Sequence, residues 1–390
     1  MKYIPYGYHW IDTKDIRAVV KALKADFITQ GQTVAEFERR LAAYCGAKYS
    51  VAVSSGTAGL HLACLASGIK KGEEVITSPI TFVASANCVL YCQARPVFAD
   101  IQNDTANVGP EEIKRKITAK TRAIIPVHFT GRPCDLKEIS TIAKRRGLAV
   151  IEDAAHALGA EYYGSKIGSC QYSDMAVVSF HPVKAITTGE GGAVLTNRKD
   201  IYEKILMLRN HGITKESQKF IANQSDSKYP WYYEQQLLGF NYRITDFQCA
   251  LGLSQLRKID KFIERRRQIV AEYNNFFSRI DGVSVPEESP GSRHSYHIYV
   301  VRLKAKQLIA NRARIYAFLK SKNILPGLHY IPVYWQPYYR NLHWYKQGLC
   351  PQAEKYYSQA LTLPLFAKMS QRQIEFIKKN FSQALSRYRK

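Results

Sequence analysis

The sequence has no apolar run close to the roughly 20 residues that a membrane-spanning helix needs. Its first residues, MKYIPYGYHW, contain neither the apolar core nor the small-residue cleavage site of a secretion signal. Only 8 of the 390 residues are cysteines, which is too sparse for a fold held together by disulfides. These absences predict a cytoplasmic protein with reduced thiols and no membrane association.

Several common catalytic motifs are also missing. The sequence contains no GxxxxGKS/T phosphate loop, no HExxH zinc motif and no GxGxxG turn after its first predicted strand. Cys88 and Cys92 stand four residues apart on a predicted helix, but no second pair of ligands accompanies them. We therefore expect buried thiols there and no metal site.

Acidic residues are few relative to basic ones. The chain has 56 Lys and Arg against 32 Asp and Glu, which gives a formal net charge of +24. The basic residues are spread along the chain, and the cluster at 265–267 follows Glu264 in a helical stretch, as on a solvated helix face. Without a nucleic-acid-reading motif, this charge favours small anionic substrates over a nucleic-acid partner.

Short apolar runs alternate with helical segments between about residues 49 and 197. The predicted strands are 49–54, 74–78, 95–100, 121–129, 148–153, 173–180 and 191–197. Several are apolar throughout, which is typical of strands covered on both faces. The helices between them predict right-handed βαβ units and a mostly parallel sheet, so the fold class is α/β.

Helical periodicity flanks this region on both sides. Two N-terminal helices are predicted by apolar faces, formed by Ile16, Val19, Val20 and Leu23 and by Val34, Phe37, Leu41 and Tyr44. One amphipathic stretch from about 244 to 280 predicts a helix that links two units. We expect an N-terminal arm and large domain over residues 1–255. The linking helix and a small C-terminal α+β domain would then occupy residues 256–390.

A candidate phosphate site lies where the first predicted strand ends. Residues 54–59 read Ser-Ser-Gly-Thr-Ala-Gly and open a helix. Glycine allows close approach to the backbone, and the free N–H groups at a helix start attract phosphate. Taken alone, the segment is equally well explained as a glycine turn capped by Thr57.

Two further segments provide an acid and a lysine. Asp153 follows the apolar run LAVI, and ligands of open α/β sheets bind beyond the carboxyl ends of strands. The acid would pair with a protonated ring nitrogen, although capping a helix is an alternative role. Lys184 lies in a loop rich in hydroxyls and glycine; it is either a surface lysine or, if buried, a Schiff-base nucleophile of lowered pKa.

In combination these residues meet the needs of pyridoxal phosphate. The phosphate would anchor the cofactor, Asp153 would keep its ring nitrogen protonated, and Lys184 would condense with its aldehyde. Phe82 offers an aromatic face for the ring, with ordinary core packing as the alternative explanation. The segment 239–244 by itself indicates no more than a capping turn.

The ordered motifs resemble those of the DegT/DnrJ/EryC1/StrS family of nucleotide-sugar aminotransferases, over essentially the whole chain. They are TQG (29–31), SSGTAGLHLA (54–63), SPITFVASAN (78–87), EDAAHALGA (152–160), SFHPVKAITTGEGGAVLTN (179–197), GFNYRITDFQCALGLSQL (239–256) and HYIPV (329–333). Within the family the sequence is most similar to the transaminases of pseudaminic acid biosynthesis. Some relatives are dehydratases with histidine in place of the lysine, so the presence of Lys184 favours transamination.

The resemblance implies a fold and a reaction. The implied fold is the type I fold of pyridoxal-phosphate transferases, with a mixed, mainly parallel seven-stranded sheet and a smaller α+β C-terminal domain. The implied reaction moves an amino group from L-glutamate to C4 of UDP-2-acetamido-2,6-dideoxy-β-L-arabino-hexos-4-ulose. The product would be UDP-4-amino-4,6-dideoxy-N-acetyl-β-L-altrosamine. Alternatives are another 4-keto-6-deoxy nucleotide sugar, of the bacillosamine or perosamine type, and a non-catalytic protein that binds sugar nucleotides.

The resemblance also implies site residues, with Lys184 as the catalytic residue and no metal. The expected cofactor-binding residues are Gly56, Thr57, Ala58, Phe82, Asp153, His156, Ser179, Lys184 and Asn241. Asn241 matches a residue that the neighbouring subunit supplies, which implies a homodimer with shared active sites. The expected substrate-binding residues are Tyr6, Asp26, Phe27, Ile28, Thr29, His329, Tyr330, Ile331 and Pro332.

Overall fold

The computed structural model describes residues 3–222 and 225–389. Its strands are β1 (Tyr49–Val53), β2 (Glu74–Thr77), β3 (Arg95–Phe98), β4 (Thr121–Ile125), β5 (Ala149–Asp153), β6 (Glu161–Tyr162), β7 (Ser165–Lys166), β8 (Met175–Ser179), β9 (Gly192–Thr196), β10 (Ile213–Thr214), β11 (Glu234–Gln235), β12 (Val283–Ser284), β13 (Ser292–Arg293), β14 (Tyr299–Leu303) and β15 (Ala360–Leu363).

The α-helices of the described residues are α1 (Thr13–Leu23), α2 (Gln32–Cys45), α3 (Gly56–Ala66), α4 (Ala84–Tyr91), α5 (Pro110–Lys116), α6 (Leu136–Arg146), α7 (Lys199–Arg209), α8 (Asp246–Leu256), α9 (Ile259–Phe277), α10 (Lys306–Ala310), α11 (Arg312–Ser321), α12 (Pro337–Asn341), α13 (Pro351–Gln359) and α14 (Gln371–Tyr388). None of these helices has both the length and the apolar character needed to cross a membrane.

A seven-stranded sheet forms the centre of the large unit, in the order β1-β9-β8-β5-β4-β2-β3. Strand β9 runs antiparallel to both of its neighbours, whereas β8, β5, β4, β2 and β3 pair in parallel. This topology confirms the mixed, mainly parallel sheet, and each of its strands lies in one of the predicted runs. The carboxyl ends of β5 and β8 therefore meet at one edge of the sheet.

Successive residues of the central strands enter different hydrophobic cores, as their apolar sequences require. Val150 packs in a core with α2, α6 and α8, whereas Ile151 packs in a core with α3, α4 and α7. The sheet is thus a layer between two layers of helices. Helix α3 starts directly beyond the end of β1, and its first residues lie at the edge where β8 ends.

The predicted linking helix is two helices, so the expectation of one continuous helix is wrong. Helix α8 ends at Leu256, and α9 begins at Ile259. Between them the Lys258 ammonium contacts the carboxylates of Asp12 and Asp15 at distances of 2.9 and 2.6 Å. This contact with the start of α1 lies at the break between the two helices. The spacing of apolar residues in the sequence gives no indication of it.

Helix α9 is shared by two cores. Ile259, Phe262 and Ile263 pack with the large unit, whereas Val270 and Tyr273 pack in the core of the C-terminal unit. That second core surrounds the antiparallel sheet β12-β14-β15. The two cores meet along α9, so the packing does not mark a boundary at residue 256. The division of the chain there stays a prediction.

The N-terminal arm crosses the C-terminal unit before the chain enters α1. Ile4 is buried in the C-terminal core and exchanges backbone hydrogen bonds with Asn323 and Leu325, each 2.9 Å long. Two residues later, the Tyr6 carbonyl accepts a 3.0 Å hydrogen bond from the N–H of Leu365. These backbone contacts fix the position of Tyr6 relative to the C-terminal unit.

Helix α1 exposes most of the apolar face that the sequence indicates. Ile16, Val20 and Leu23 are about half exposed, with relative exposures of 57, 45 and 53%. The helix instead buries Asp15 and Ala22 against α8, and the Asp15 carboxylate accepts hydrogen bonds from two α8 side chains there. The exposed strip is therefore an apolar surface of the single chain.

The start of α2 depends on a carboxylate from another helix. Asp246, the first residue of α8, accepts hydrogen bonds from the N–H groups of Gly31, Thr33 and Val34 at 2.8 to 3.3 Å. Gly31 permits this approach, because an added Cβ there would lie 2.8 Å from an Asp246 oxygen. Since the first N–H groups of a helix lack partners within the helix, Asp246 acts as the cap that Gly31 does not provide.

We expect Asp246→Ala to lower the free energy of unfolding by about 2–3 kcal/mol, because three partly or fully buried N–H groups lose a charged acceptor. Chemical denaturation with two independent probes measures this change. Glu36→Ala is the matched control, since it removes solvent-exposed ion pairs on α2 and should change stability little. Equal losses in the two variants would contradict the capping role of Asp246.

Candidate active site

A cavity of about 450 Å³ lies at the edge of the central sheet where β5 and β8 end. It is bounded by the start of α3, the turn after β8, the N-terminal arm and the segment that follows α11. The predicted site residues that line it are Tyr6, Gly56, Thr57, Phe82, Asp153, His156, Ser179, Lys184, His329 and Tyr330. Residues far apart in sequence therefore converge on one volume.

Lys184 lies in a tight turn after β8, and its N–H donates a 2.9 Å hydrogen bond to the carbonyl of His181. The turn directs its side chain into the cavity lining. Burial lowers the pKa of the Lys184 ammonium to about 8, and the negative charge of Asp153 opposes part of this shift. A substantial fraction of this amine is therefore neutral near physiological pH.

Asp153 ends β5 with its carboxylate held by the protein. The Ser85 hydroxyl donates a 2.6 Å hydrogen bond to Oδ2, and the Ala155 N–H donates a 3.1 Å hydrogen bond to Oδ1. Ser85 is oriented in turn by the Thr81 hydroxyl at 2.7 Å. The side chain of Asp153 is thus buried, oriented and on the cavity wall.

The start of α3 and the end of β8 form an anion-binding corner. Ser55 caps the helix by accepting a 3.1 Å hydrogen bond from the Ala58 N–H. The N–H groups of Gly56 and Thr57 precede the first intrahelical bond and are available in the cavity wall. Gly56 is needed for space, because an added Cβ would lie only 3.0 Å from the Cβ of Ser179.

Imidazole and phenol groups make up the opposite wall. His156 Nε2 lies 3.4 Å from the Tyr330 hydroxyl, and His329 Nδ1 lies 2.8 Å from the Thr362 hydroxyl. Burial, with a smaller contribution from the Lys184 charge, lowers the pKa of His329 to about 4 and that of His156 well below its usual range. Both rings are therefore neutral near pH 7.

Other predicted residues do not line the cavity of the single chain. Ala58 is buried, and its N–H is occupied by the Ser55 cap. Asn241 is exposed and forms a backbone bridge with Asn210. Of the predicted substrate residues, those outside the cavity are Asp26, Phe27, Ile28, Thr29, Ile331 and Pro332. All of these are exposed except Pro332, which is buried.

Sequence reasoning missed cavity and supporting residues that tertiary structure brings in. His297 lines the cavity from a position just before β14, and Ser85 orients Asp153 from helix α4. The sequence SYHIYVVRL over residues 295–303 has the pattern of a strand and contains His297 among apolar residues, which is a signal that could have marked it. Nothing in the sequence near Ser85 indicates a contact with Asp153.

The family model for DegT/DnrJ/EryC1/StrS aminotransferases matches residues 9–382. The chain belongs to this family. As an aminotransferase it carries out the reaction class that the resemblance implied, and its sheet is that of the type I fold of pyridoxal-phosphate enzymes.

Characterised and solved relatives span nearly the whole aminotransferase. A spore coat polysaccharide biosynthesis protein of Bacillus subtilis is 39% identical over 369 residues, 94% of this chain and 93% of that protein. A UDP-4-amino-4,6-dideoxy-N-acetyl-β-L-altrosamine transaminase of Campylobacter jejuni is 35% identical over 393 residues, 99% of both chains. The Helicobacter pylori aminotransferase PseC, involved in pseudaminic acid biosynthesis, superposes with a TM-score of 0.91 at 29% identity, covering 99% of this chain and 100% of that one.

Aminotransferases of this family depend on pyridoxal phosphate, which confirms the expected cofactor class. A putative sugar aminotransferase of Streptococcus pneumoniae, 28% identical, was solved in a pyridoxal-phosphate form with a TM-score of 0.90. The cavity fits such a group: it combines a partly neutral lysine amine, an oriented carboxylate and a helix start kept open by Gly56. The buried Nδ1 atom of His156 also lacks a hydrogen-bond partner in the part of the chain that the structure describes.

We expect the Lys184 amine of the apoprotein to be acylated by a small amine-specific reagent with a pH midpoint near 8, because only the neutral amine reacts. The midpoint should fall further in Asp153→Asn, since the carboxylate charge raises this pKa. Peptide mass spectrometry across a pH series measures both midpoints. The denatured chain is the control, with a midpoint near the ordinary lysine value of about 10.4; the same value in the folded protein would contradict the burial effect.

Proposed function

We propose that this aminotransferase transfers an amino group from L-glutamate to C4 of UDP-2-acetamido-2,6-dideoxy-β-L-arabino-hexos-4-ulose. The product is UDP-4-amino-4,6-dideoxy-N-acetyl-β-L-altrosamine, a step of pseudaminic acid biosynthesis. The observation that carries this choice of substrate is the 35% identity, over 99% of both chains, with the C. jejuni transaminase of that name. We place the enzyme in the cytoplasm, because its cysteines are free thiols and the cytoplasm keeps thiols reduced.

The residues of the cavity support a definite arrangement of the cofactor. The N–H groups of Gly56 and Thr57, with the Ser179 hydroxyl, bind its phosphate at the start of α3. The carboxylate of Asp153 pairs with the ring nitrogen and keeps it protonated. Phe82 offers a ring face on the cavity wall, where it is 58% exposed. Ala58 contributes through its cap with Ser55 and does not donate its own N–H.

Lys184 is the catalytic residue of the proposed reaction. When bound, pyridoxal phosphate supplies an aldehyde that takes up the amino group and a ring that withdraws electrons. The Lys184 amine would hold that aldehyde when no substrate is present, and it would take up and return a proton during transfer. Its pKa of about 8 suits both tasks, because it can hold or release a proton near neutral pH.

The sugar nucleotide binds on the side of the cavity that the N-terminal arm and the segment after α11 form. Tyr6, His329 and Tyr330 line this side and contact the sugar in our proposal. Residues 26–29 lie outside the single-chain cavity and contact the nucleotide farther from Lys184. The Asp246 cap at Gly31 supports this role, since it fixes the chain directly after that segment.

A homodimer with shared active sites follows from the same proposal. Asn241 is exposed and lies outside its own cavity, so in our proposal it reaches the cofactor phosphate of the partner subunit. The exposed apolar strip of α1 gives independent support for an assembly, because soluble monomers rarely leave such a surface open.

A second candidate substrate is another 4-keto-6-deoxy nucleotide sugar. The observation that favours it is the 39% identity with the B. subtilis spore coat polysaccharide protein, which exceeds the 35% identity with the C. jejuni transaminase. Both candidates use the same lysine, acid and phosphate corner. They differ in which sugar stereochemistry the wall around His329 accepts.

The decisive assay couples 2-oxoglutarate release to a panel of 4-keto nucleotide sugars carrying UDP, GDP or dTDP, with L-glutamate as donor. We expect the fastest turnover with the UDP-linked arabino-hexos-4-ulose, and none in Lys184→Ala. Lys199→Ala is a matched control because it removes a lysine outside the cavity. Faster turnover of another sugar would overturn the substrate assignment. Turnover by Lys184→Ala would overturn the mechanism.

Hybrid dimers test the shared site. Mixing refolded Lys184→Ala and Asn241→Ala chains, at a cofactor concentration where each variant alone is inactive, should restore about a quarter of the wild-type activity. When equal amounts of the two chains are mixed, half of the dimers are hybrids. Each hybrid has one site in which both Lys184 and Asn241 are intact, so a quarter of all sites are complete. No recovery in verified hybrids would show that Asn241 does not serve the partner's site.

A further inference from the structure

A segment of the C-terminal unit docks against the loop that carries His156. The Ser295 hydroxyl donates a 3.0 Å hydrogen bond to the carbonyl of His156, and the His297 N–H donates a 2.8 Å hydrogen bond to the carbonyl of Thr130. The segment after β4, which contains Thr130, accepts this approach because Gly131 has no side chain: an added Cβ would lie 2.3 Å from the Ser295 hydroxyl. The backbone of residues 295–297 is therefore fixed against the large unit.

His297 is also held from behind. Its carbonyl accepts a 3.1 Å hydrogen bond from the guanidinium of Arg266, a buried residue of α9 that also donates to the carbonyl of Leu365 at 3.0 Å. The Arg266 guanidinium therefore joins α9 to the residues just before β14 and to the residues just after β15. The side chain of His297 thus projects from a backbone that has little freedom to move.

The two imidazole rings of His156 and His297 are in direct contact. Their centroids are 4.3 Å apart with a tilt of 40°, and both residues are more than nine-tenths buried on the cavity wall. Burial is the main reason that both pKa values lie well below the usual histidine range, so the contact joins two neutral rings. Neither Nδ1 atom has a hydrogen-bond partner among residues 3–222 and 225–389.

We propose that His297 is a positioning residue of the aminotransferase: its ring packs against the imidazole of His156 and holds that ring in the orientation it presents to the cofactor. The hydrogen bond between His156 Nε2 and the Tyr330 hydroxyl is long, at 3.4 Å, and cannot fix the ring by itself. The inference rests on the proposed function for one point, the placement of the cofactor beside His156.

The arrangement gives the C-terminal unit a direct influence on the cofactor site. His156 belongs to the large unit, but its carbonyl is bound by Ser295 and its ring is packed by His297. A displacement of residues 295–297 therefore changes the orientation of His156 without moving Lys184 or Asp153. The unpartnered Nδ1 atoms leave hydrogen-bonding capacity that a ligand in the cavity can use.

The first experiment uses the apoprotein, so that it does not depend on the cofactor. A crystal structure of His297→Ala should show the His156 ring rotated away from the Tyr330 hydroxyl, whereas His297→Phe, which keeps a ring in contact, should restore its orientation. His61→Ala is the control: this buried histidine of α3 packs against Phe240, does not line the cavity and makes no contact with residues 295–297 that would hold their backbone. A His156 ring that is unmoved in His297→Ala overturns the proposal.

The second experiment is a double-mutant cycle on the dissociation constant for pyridoxal phosphate. We expect His297→Ala to weaken binding about tenfold, but less than about twofold in the His156→Ala background, because contacting residues are energetically coupled. Equal weakening in both backgrounds overturns the positioning role. A third outcome separates this inference from the proposed function: His156→Ala leaves cofactor binding unchanged, but the His156 ring still rotates in the His297→Ala apoprotein. The placement of the cofactor beside His156 is then wrong, whereas the positioning of His156 by His297 is confirmed.

Discussion

The candidate active site depends on the burial of an amine and a carboxylate in one cavity. Withdrawal from water lowers the pKa of Lys184, and the charge of Asp153 raises it, with burial the larger effect. The balance leaves a substantial fraction of the amine neutral near physiological pH, so that it can both react with a carbonyl and carry a proton. A more distant carboxylate would lower the pKa further, and an exposed lysine would stay protonated.

This balance needs a carboxylate that does not move. The large unit holds the carboxylate of Asp153 through successive hydrogen bonds. Asp153 is fixed at the end of β5 by Ser85, which is itself held by Thr81 on the approach to α4. Gly56 lets α3 start close to the end of β8, so that the anion-binding corner lies near the same strand ends. Parallel strands that end at one sheet edge make this convergence possible.

The sequence predicts the elements that short-range patterns control. Apolar runs identify each strand of the central sheet, and the predicted site residues Asp153, at a strand end, and Lys184, in a loop, both line the cavity. Contacts between distant segments are not visible in such patterns. The break between α8 and α9 coincides with a contact between Lys258 and the start of α1, and the face of α1 remains exposed because Asp15 is the residue that packs.

The residues of the C-terminal unit that line the cavity are also not identified by short-range sequence patterns. His297 reads as one polar residue in a predicted strand, and only the tertiary fold sets it against His156. Tyr6 reaches the cavity because the arm pairs with the C-terminal unit through Ile4. Four residues of the cavity wall, namely Tyr6, His297, His329 and Tyr330, therefore depend on a unit that contains neither Lys184 nor Asp153. Since α9 packs in both cores, the relative position of the two units sets the shape of the substrate side while the amine and carboxylate stay fixed.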